Sequence, residues 1–308
     1  MAATRVILLD LDRTVAVQPS LAALRSAGHA LRLDATDLAP RLRIVASRGA
    51  ARSLAARLAP VFAGEAPLIF FGSGDFHHLT AVFLSLLRER VTVLHFDNHP
   101  DWIRFPPTLN CGGWVSRALA LPQVERVVTI GPASDDLRHP ELKGADLPAI
   151  RAGRHEVHPW RGAEHGFWGR RVAASACRSK GWKLRWDGLE RRSWETFADE
   201  LAARLPAAPL WITLDKDVLP PEEAATNWDH GAMPLDAVLG IVERLARERR
   251  LLGADVCGDV SPPRFADPFR WLLSATDRST RPPATPDELA LNDRTNRRIA
   301  DALGGHFA

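Results

Sequence analysis

The chain has 308 residues, 46% hydrophobic and 25% charged, with a formal net charge of +3, the balance of a globular protein with a sizeable core. Its basic residues fall in short pairs such as Arg170-Arg171 and Arg249-Arg250, which read as a solvated face and point away from nucleic acid as a partner. No run reaches the roughly 18 apolar residues of a membrane span, the start lacks a signal peptide's layout, and three cysteines without CxxC spacing suit a reducing, cytoplasmic setting.

Taken in chain order, Arg5 to Leu11 reads as a strand, followed by a helical pattern over Ala50 to Leu58 and a second strand over Pro67 to Phe71. A helical stretch over Leu79 to Glu89 leads into a strand at Val91 to Phe96, and another strand is expected at Val127 to Ile130. Gly131 to Arg192, rich in His, Trp, Arg and Gly, reads as long functional loops plus short elements. A helix at Ser193 to Arg204, strands at Leu210 to Leu214 and Leu251 to Cys257, and a helix at Leu235 to Arg249 complete the alternation. Thr285-Pro286-Asp287-Glu288 supplies a cap, a first-turn proline and a capping-box glutamate, so a last helix runs from about 286 to 303. Buried strands alternating with helices predict a three-layer α/β/α protein with a mainly parallel sheet, and the absence of a linker-like stretch favours one domain over 1–308.

Two segments place metal-ligand residue types at every second position: Asp97-Asn98-His99-Pro100-Asp101 and Asp215-Lys216-Asp217, each at the end of an apolar strand. Side chains two apart on an extended chain point the same way, so Asp97, His99 and Asp101 converge, as do Asp215 and Asp217. Burying four carboxylates at strand ends is too costly without cations, so the pattern reads as a two-metal site. Oxygen-rich ligands with one or two imidazoles suit Mn²⁺, and two such ions can activate water as a nucleophile at neutral pH. A third segment, Phe71-Gly72-Ser73-Gly74-Asp75-Phe76-His77-His78-Leu79-Thr80, follows a strand and opens a helix, the place where open α/β sheets hold ligands. His77 or His78 could supply an imidazole there.

The order GSGDFHHLT, HFDNHPD, LDKD resembles the ureohydrolase superfamily of arginase, agmatinase and formiminoglutamase. The resemblance implies an arginase-like α/β/α fold, two Mn²⁺ per chain, hydrolysis of a guanidino or related carbon–nitrogen bond, and frequent oligomerisation. Aligning His77-His78-Leu79-Thr80 with the family's His-Ser-Ile-Thr favours His77 as the ligand. One ion would then take His77, Asp97, Asp101 and Asp215, and the other His99, Asp97, Asp215 and Asp217, with Asp97 and Asp215 bridging. Asp135-Asp136 follows the strand that precedes the family's substrate-contacting acidic loop, and Asp259 stands where a late carboxylate receives the guanidinium.

There are departures. Cys111 takes the place of the proton-transferring histidine, so the implied catalytic pair is Cys111 and Asp217. Thr226 to Gly231 replaces the family's Gly-Gly segment, which makes Asn227, Asp229 and His230 candidate pocket residues. Lys216, one of four lysines, lies between two ligands and is expected to point away from them toward an acidic partner. The implied substrate is a small guanidino or amidino compound, or arginine within a peptide. Two other readings stand beside this one. A catalytically quiet metal-binding protein with a regulatory or scaffolding role would also carry these ligands. Ile7 to Thr14 also matches the Asp-x-Asp-x-Thr opening of haloacid-dehalogenase-type phosphatases, with Asp10 as nucleophile and Asp12 as acid/base, but it finds no partner set downstream.

Overall fold

The structure is a computed structural model and describes residues 5–64, 66–106, 108–262, 265 and 283–306; the leader reading at residues 1–4 lies outside it. Its frame is an eight-stranded sheet, built in chain order from β1 (Arg5–Asp10), β2 (Ala30–Asp34), β3 (Pro67–Phe70), β4 (Val91–Phe96), β5 (Val124–Ile130), β6 (His155–His158), β7 (Leu210–Asp215) and β8 (Leu251–Cys257). The spatial order is β2-β1-β3-β8-β7-β4-β5-β6, and every neighbouring pair is parallel. All the strand carboxyl ends therefore open on one edge.

The central strands β3, β4, β7 and β8 are buried along nearly their whole length because both faces of the sheet are covered. In β1, Val6 and Leu8 join one core while Ile7 and Leu9 join the other. The first core is closed by helices Pro19–Ser26, Trp194–Arg204, Leu235–Ala246 and Pro286–Gly304, through residues such as Leu21, Phe197, Ile241 and Ile299. Helices Arg48–Phe62, Thr80–Ser85 and Trp114–Ala118 close the second, through Leu54, Phe83 and Trp114. The expected three layers and parallel sheet are thus present, and the capping box at Thr285 and Glu288 is formed.

Several expectations need correcting. The region 131–192 holds more regular structure than its composition suggested: edge strand β6, and a three-stranded antiparallel sheet of Ala163–Gly166, Cys177–Lys180 and Lys183–Trp186. His155-Glu156-Val157-His158 reads as polar, but it is buried because its side chains find partners inside. The helix expected over Leu79–Glu89 is a 3₁₀ turn, Gly74–Leu79, followed by a short α-helix, Thr80–Ser85. Among the described residues no helix is long and apolar enough to cross a membrane.

Candidate metal centre

The parallel register sets the site in two rows. Asp255, Thr213, His95 and Thr129 are successive register partners across β8, β7, β4 and β5, all fully buried on the same face. Two residues further along, at the strand ends, lies the row of Cys257, Asp215 and Asp97.

The lower row is a hydrogen-bonded brace. Thr213 Oγ1 (2.7 Å) and Thr80 Oγ1 (2.9 Å) both donate to Asp255 Oδ1, while Trp211 Nε1 donates to Asp255 Oδ2. Burial pushes the Asp255 carboxyl up to about 6. His95 Nδ1 lies 3.0 Å from Thr129 Oγ1, which in turn is 2.8 Å from His155 Nε2. His95 Nε2 reaches upward to Asp97 Oδ2 at 2.9 Å.

His77 joins the two rows from the 3₁₀ turn. Its Nε2 lies 2.9 Å from Thr213 Oγ1. Since the Thr213 hydroxyl proton goes to Asp255, Nε2 must carry the imidazole hydrogen and donate. Nδ1 is then the lone-pair end, and it faces carboxylates: Asp97 Oδ2 at 2.9 Å, Asp101 Oδ2 at 3.5 Å and Asp215 Oδ2 at 3.6 Å. This buried nitrogen has no well-formed hydrogen bond. A lone pair aimed at several carboxylates is stable only with a cation or proton between them, so the donor set fits a divalent ion.

The remaining ligand candidates close around the same point. His99 Nδ1 is 3.0 Å from Asp217 Oδ2, and Asp97 Oδ1 accepts from the His99 amide. Asp101, at φ 46°, is held by Trp114 Nε1 at 2.7 Å. The Trp114 ring also packs on His77 and His95, with centroids 5.1 and 5.0 Å away. Asp215 is cradled by two glycines: a Cβ on Gly74 would stand 2.5 Å from its Oδ2, and one on Gly258 2.5 Å from its Oδ1. Among the described residues, the groups close enough to share an ion are His77 with His95, Asp97 and Asp101; His77 with Asp215 and Cys257; and Asp97 with His99 and Asp217.

Charge regulation shows the same demand. Burial alone would drive the His77 proton off, but the close approach and charge of Asp97, with the charges of Asp215 and Asp101, outweigh it and push the imidazole up to about 10. Burial raises Asp101, Asp215 and Asp217, with further repulsion from neighbouring carboxylates. Asp97 resists burial and is held low by His77, His95 and His99. Protons thus stand where ions would. Ion uptake must displace the His77 proton at any pH below about 10, so affinity for a divalent ion is expected to climb as pH rises through neutrality. Calorimetry in buffers of differing ionisation enthalpy checks this: proton release on binding is expected, and a pH-independent affinity contradicts it.

The six expected ligands, His77, Asp97, His99, Asp101, Asp215 and Asp217, all line one cleft of about 270 Å³ at the strand carboxyl ends. Cys111, Asp136, Asn227, Asp229 and Trp228 line it as well. Asn227 also braces two loops, donating to Ser261 O and Ser73 Oγ and accepting from Ser261 N. The other expected site residues lie elsewhere. His78 is buried outside the cleft lining, Asp135 has an 85% exposed side chain, and His230 Nδ1 sits 3.2 Å from the Leu219 carbonyl.

Asp259 is the main correction. It is buried apart from the cleft, where Lys216 Nζ donates to its Oδ1 at 2.5 Å and Gln18 Nε2 to its Oδ2 at 3.1 Å, and it does not line the cleft. The acidic partner expected for Lys216 is therefore the residue expected to hold the guanidinium. Asp10 and Asp12 are also engaged. Asp10 is paired with Arg32, and Asp12 accepts from Thr14, Ser73 and Ser261, so neither is presented as a phosphatase nucleophile or acid. His95 and Cys257 were missed by the sequence reading. The signal for His95 was present, since it extends the alternation upstream to His95-Asp97-His99-Asp101.

Among solved structures, an arginase from Medicago truncatula matches over 97% of this chain and 86% of its own, with a TM-score of 0.60 and 15% identity. The agmatine ureohydrolase of Thermoplasma volcanium matches over 99% and 92%, with a TM-score of 0.57 and 14% identity. This is the arginase fold. The likeness spans nearly the whole chain while little sequence is shared. A Thermotoga maritima protein, described as uncharacterized, is 26% identical over 209 residues, 68% of this chain. The match spans 62% of that relative's length. No protein-family model matches the chain.

Trp114 is worth testing within the arginase fold, because it touches three groups of the site without being a ligand. Trp114→Phe keeps most of the ring but removes the donor to Asp101. A loss of roughly 10–100-fold in divalent-ion affinity is expected, the usual cost of removing a ligand's supporting bond. Titration of the apoprotein with Mn²⁺ checks this; unchanged affinity would show that Asp101 needs no such support.

Proposed function

We propose that the protein is a dinuclear metal-dependent hydrolase that cleaves a guanidino or amidino carbon–nitrogen bond. The observation that carries this reading is the buried His77 Nδ1, turned toward Asp97, Asp101 and Asp215 at the carboxyl edge of an arginase-type sheet. His77, Asp97, Asp101 and Asp215 would hold one ion, and His99, Asp97, Asp215 and Asp217 the other, and these imidazole and carboxylate donors by themselves favour Mn²⁺. When bound, the pair supplies an activated water at neutral pH and polarises the bond to be broken.

The chain's own residues supply the rest. Asp136 and Asp229 put acidic residues in the cleft lining, where a planar cation can be received through paired N–H donors. Cys111 lines the same cleft and takes the proton-transfer position, handing a proton to the departing nitrogen. The Asn227 amide has partners on both sides, so it shapes the wall next to Trp228. The substrate is a small guanidino or amidino compound, or an arginine presented by a peptide.

The test is a screen for urea or ammonia release with Mn²⁺, covering free guanidino acids, agmatine-like amines and peptidyl arginine. Turnover of one class that vanishes in Asp215→Asn supports the proposal. A second reading, a catalytically quiet metal protein, is favoured by one observation: Asp259 is committed to Lys216 and leaves the cleft without that acceptor. A protein that binds ions but turns over no member of the panel would establish the second reading over the first.

A further inference from the structure

We propose that Cys257 is a sulfur ligand to the ion on the His77 side, giving that ion a shell of thiolate, imidazole and carboxylate. The inference rests on the dinuclear reading above and adds a ligand that the ureohydrolase resemblance did not include.

Geometry carries it. Cys257 is the last residue of β8 and the register partner of Asp215, so the two side chains leave adjacent strands on the same face, in the ligand row. The thiol is 1% exposed, and its Sγ lies 3.2 Å from Asp215 Oδ2. Sγ, His77 Nδ1 and an Asp215 oxygen all lie within 4.8 Å of one another, close enough to share one ion. His77 Nδ1 is itself buried without a well-formed hydrogen bond, while its other nitrogen is committed to Thr213. The chain turns directly after the thiol, at Gly258 with φ 99°, where a Cβ would stand 2.6 Å from the Lys216 amide nitrogen. That turn presses Cys257 against Asp215 and carries Asp259 down to Lys216. The side chain that β8 offers the ligand row at its end is therefore a thiol.

Sulfur changes which metal the site prefers. A thiolate is a soft ligand and favours zinc, cobalt or iron over manganese, whereas the His99 side, with only imidazole and carboxylate ligands, keeps the harder preference. The two positions are thus expected to differ in metal. On binding, the S–H bond breaks, its proton leaves to solvent, and a sulfur–metal bond forms; nothing is oxidised or reduced.

Cobalt reports sulfur ligation directly. The full-length apoprotein is loaded with Co²⁺ and its absorption recorded. The expected spectrum has visible ligand-field bands together with a near-ultraviolet sulfur-to-cobalt charge-transfer band. Cys257→Ser and Cys257→Ala are expected to lose the charge-transfer band while keeping the visible bands, and Cys111→Ser to keep both. Visible bands without a charge-transfer band in the unaltered protein overturn the proposal. So does a charge-transfer band that survives in Cys257→Ser or disappears in Cys111→Ser. Absence of any cobalt spectrum overturns the dinuclear reading itself, together with this proposal.

Discussion

Asp215→Asn is expected to abolish metal-dependent turnover while leaving the fold intact. Asp215 would serve both ions of the proposed pair: it faces His77, receives the Asp217 amide at 3.1 Å and the Cys257 thiol at 3.2 Å, and is boxed in by Gly74 and Gly258. An amide of the same shape fits that box but brings no negative charge for two cations to share. The loss in ion affinity should exceed the roughly 10–100-fold that follows removal of a mere supporting bond. Burial and the neighbouring carboxylates already raise the Asp215 carboxyl in the ion-free protein, so removing its charge relieves repulsion. The apoprotein variant should therefore melt no lower than the parent. Retained turnover, or a collapsed apoprotein, would contradict this account of the residue.

The second large effect is expected at Lys216, which is fully buried and ion-paired with the nearly buried Asp259. Lys216→Met leaves that carboxylate, among the described residues, with Gln18, which is itself tied to Asn296. Removing one partner of a buried pair costs about 3–5 kcal/mol, because the other charge stays buried. Exchanging both for apolar residues removes that penalty, so Lys216→Met with Asp259→Leu should recover most of the loss. Denaturant unfolding of the two singles and the double checks this. A double variant as unstable as the sum of the singles would mean that the pair is not what holds β7 and β8 together at their ends.

The legible parts of this protein are those that repeat at short range. Apolar runs gave the central strands, and alternation at positions 97, 99 and 101 and at 215 and 217 marked residues that the cleft brings together. What stayed hidden depends on which strands lie side by side. Thr213, Asp255 and Thr129 look like incidental polar residues until the register lines them up with His95 beneath the site. Lys216 and Asp259 are 43 residues apart and meet because β7 and β8 are neighbours. Without that adjacency, Asp259 before a proline reads as a free carboxylate, and Asp10-Leu11-Asp12 reads as a phosphatase opening. Strand β2 and helix Pro19–Ser26 were missed for a simpler reason. Ala30–Asp34 lies at the sheet edge and is mostly half-buried or exposed, so no continuous apolar run marks it.

In the proposed function, the carboxylates and imidazoles at the strand ends hold a pair of divalent ions. Metal content of the purified chain, measured after saturation and removal of loose ions, tests it most directly. Close to two tightly held ions per chain are expected, falling sharply in Asp215→Asn. Less than about one ion per chain, or a content unchanged by that substitution, would contradict it.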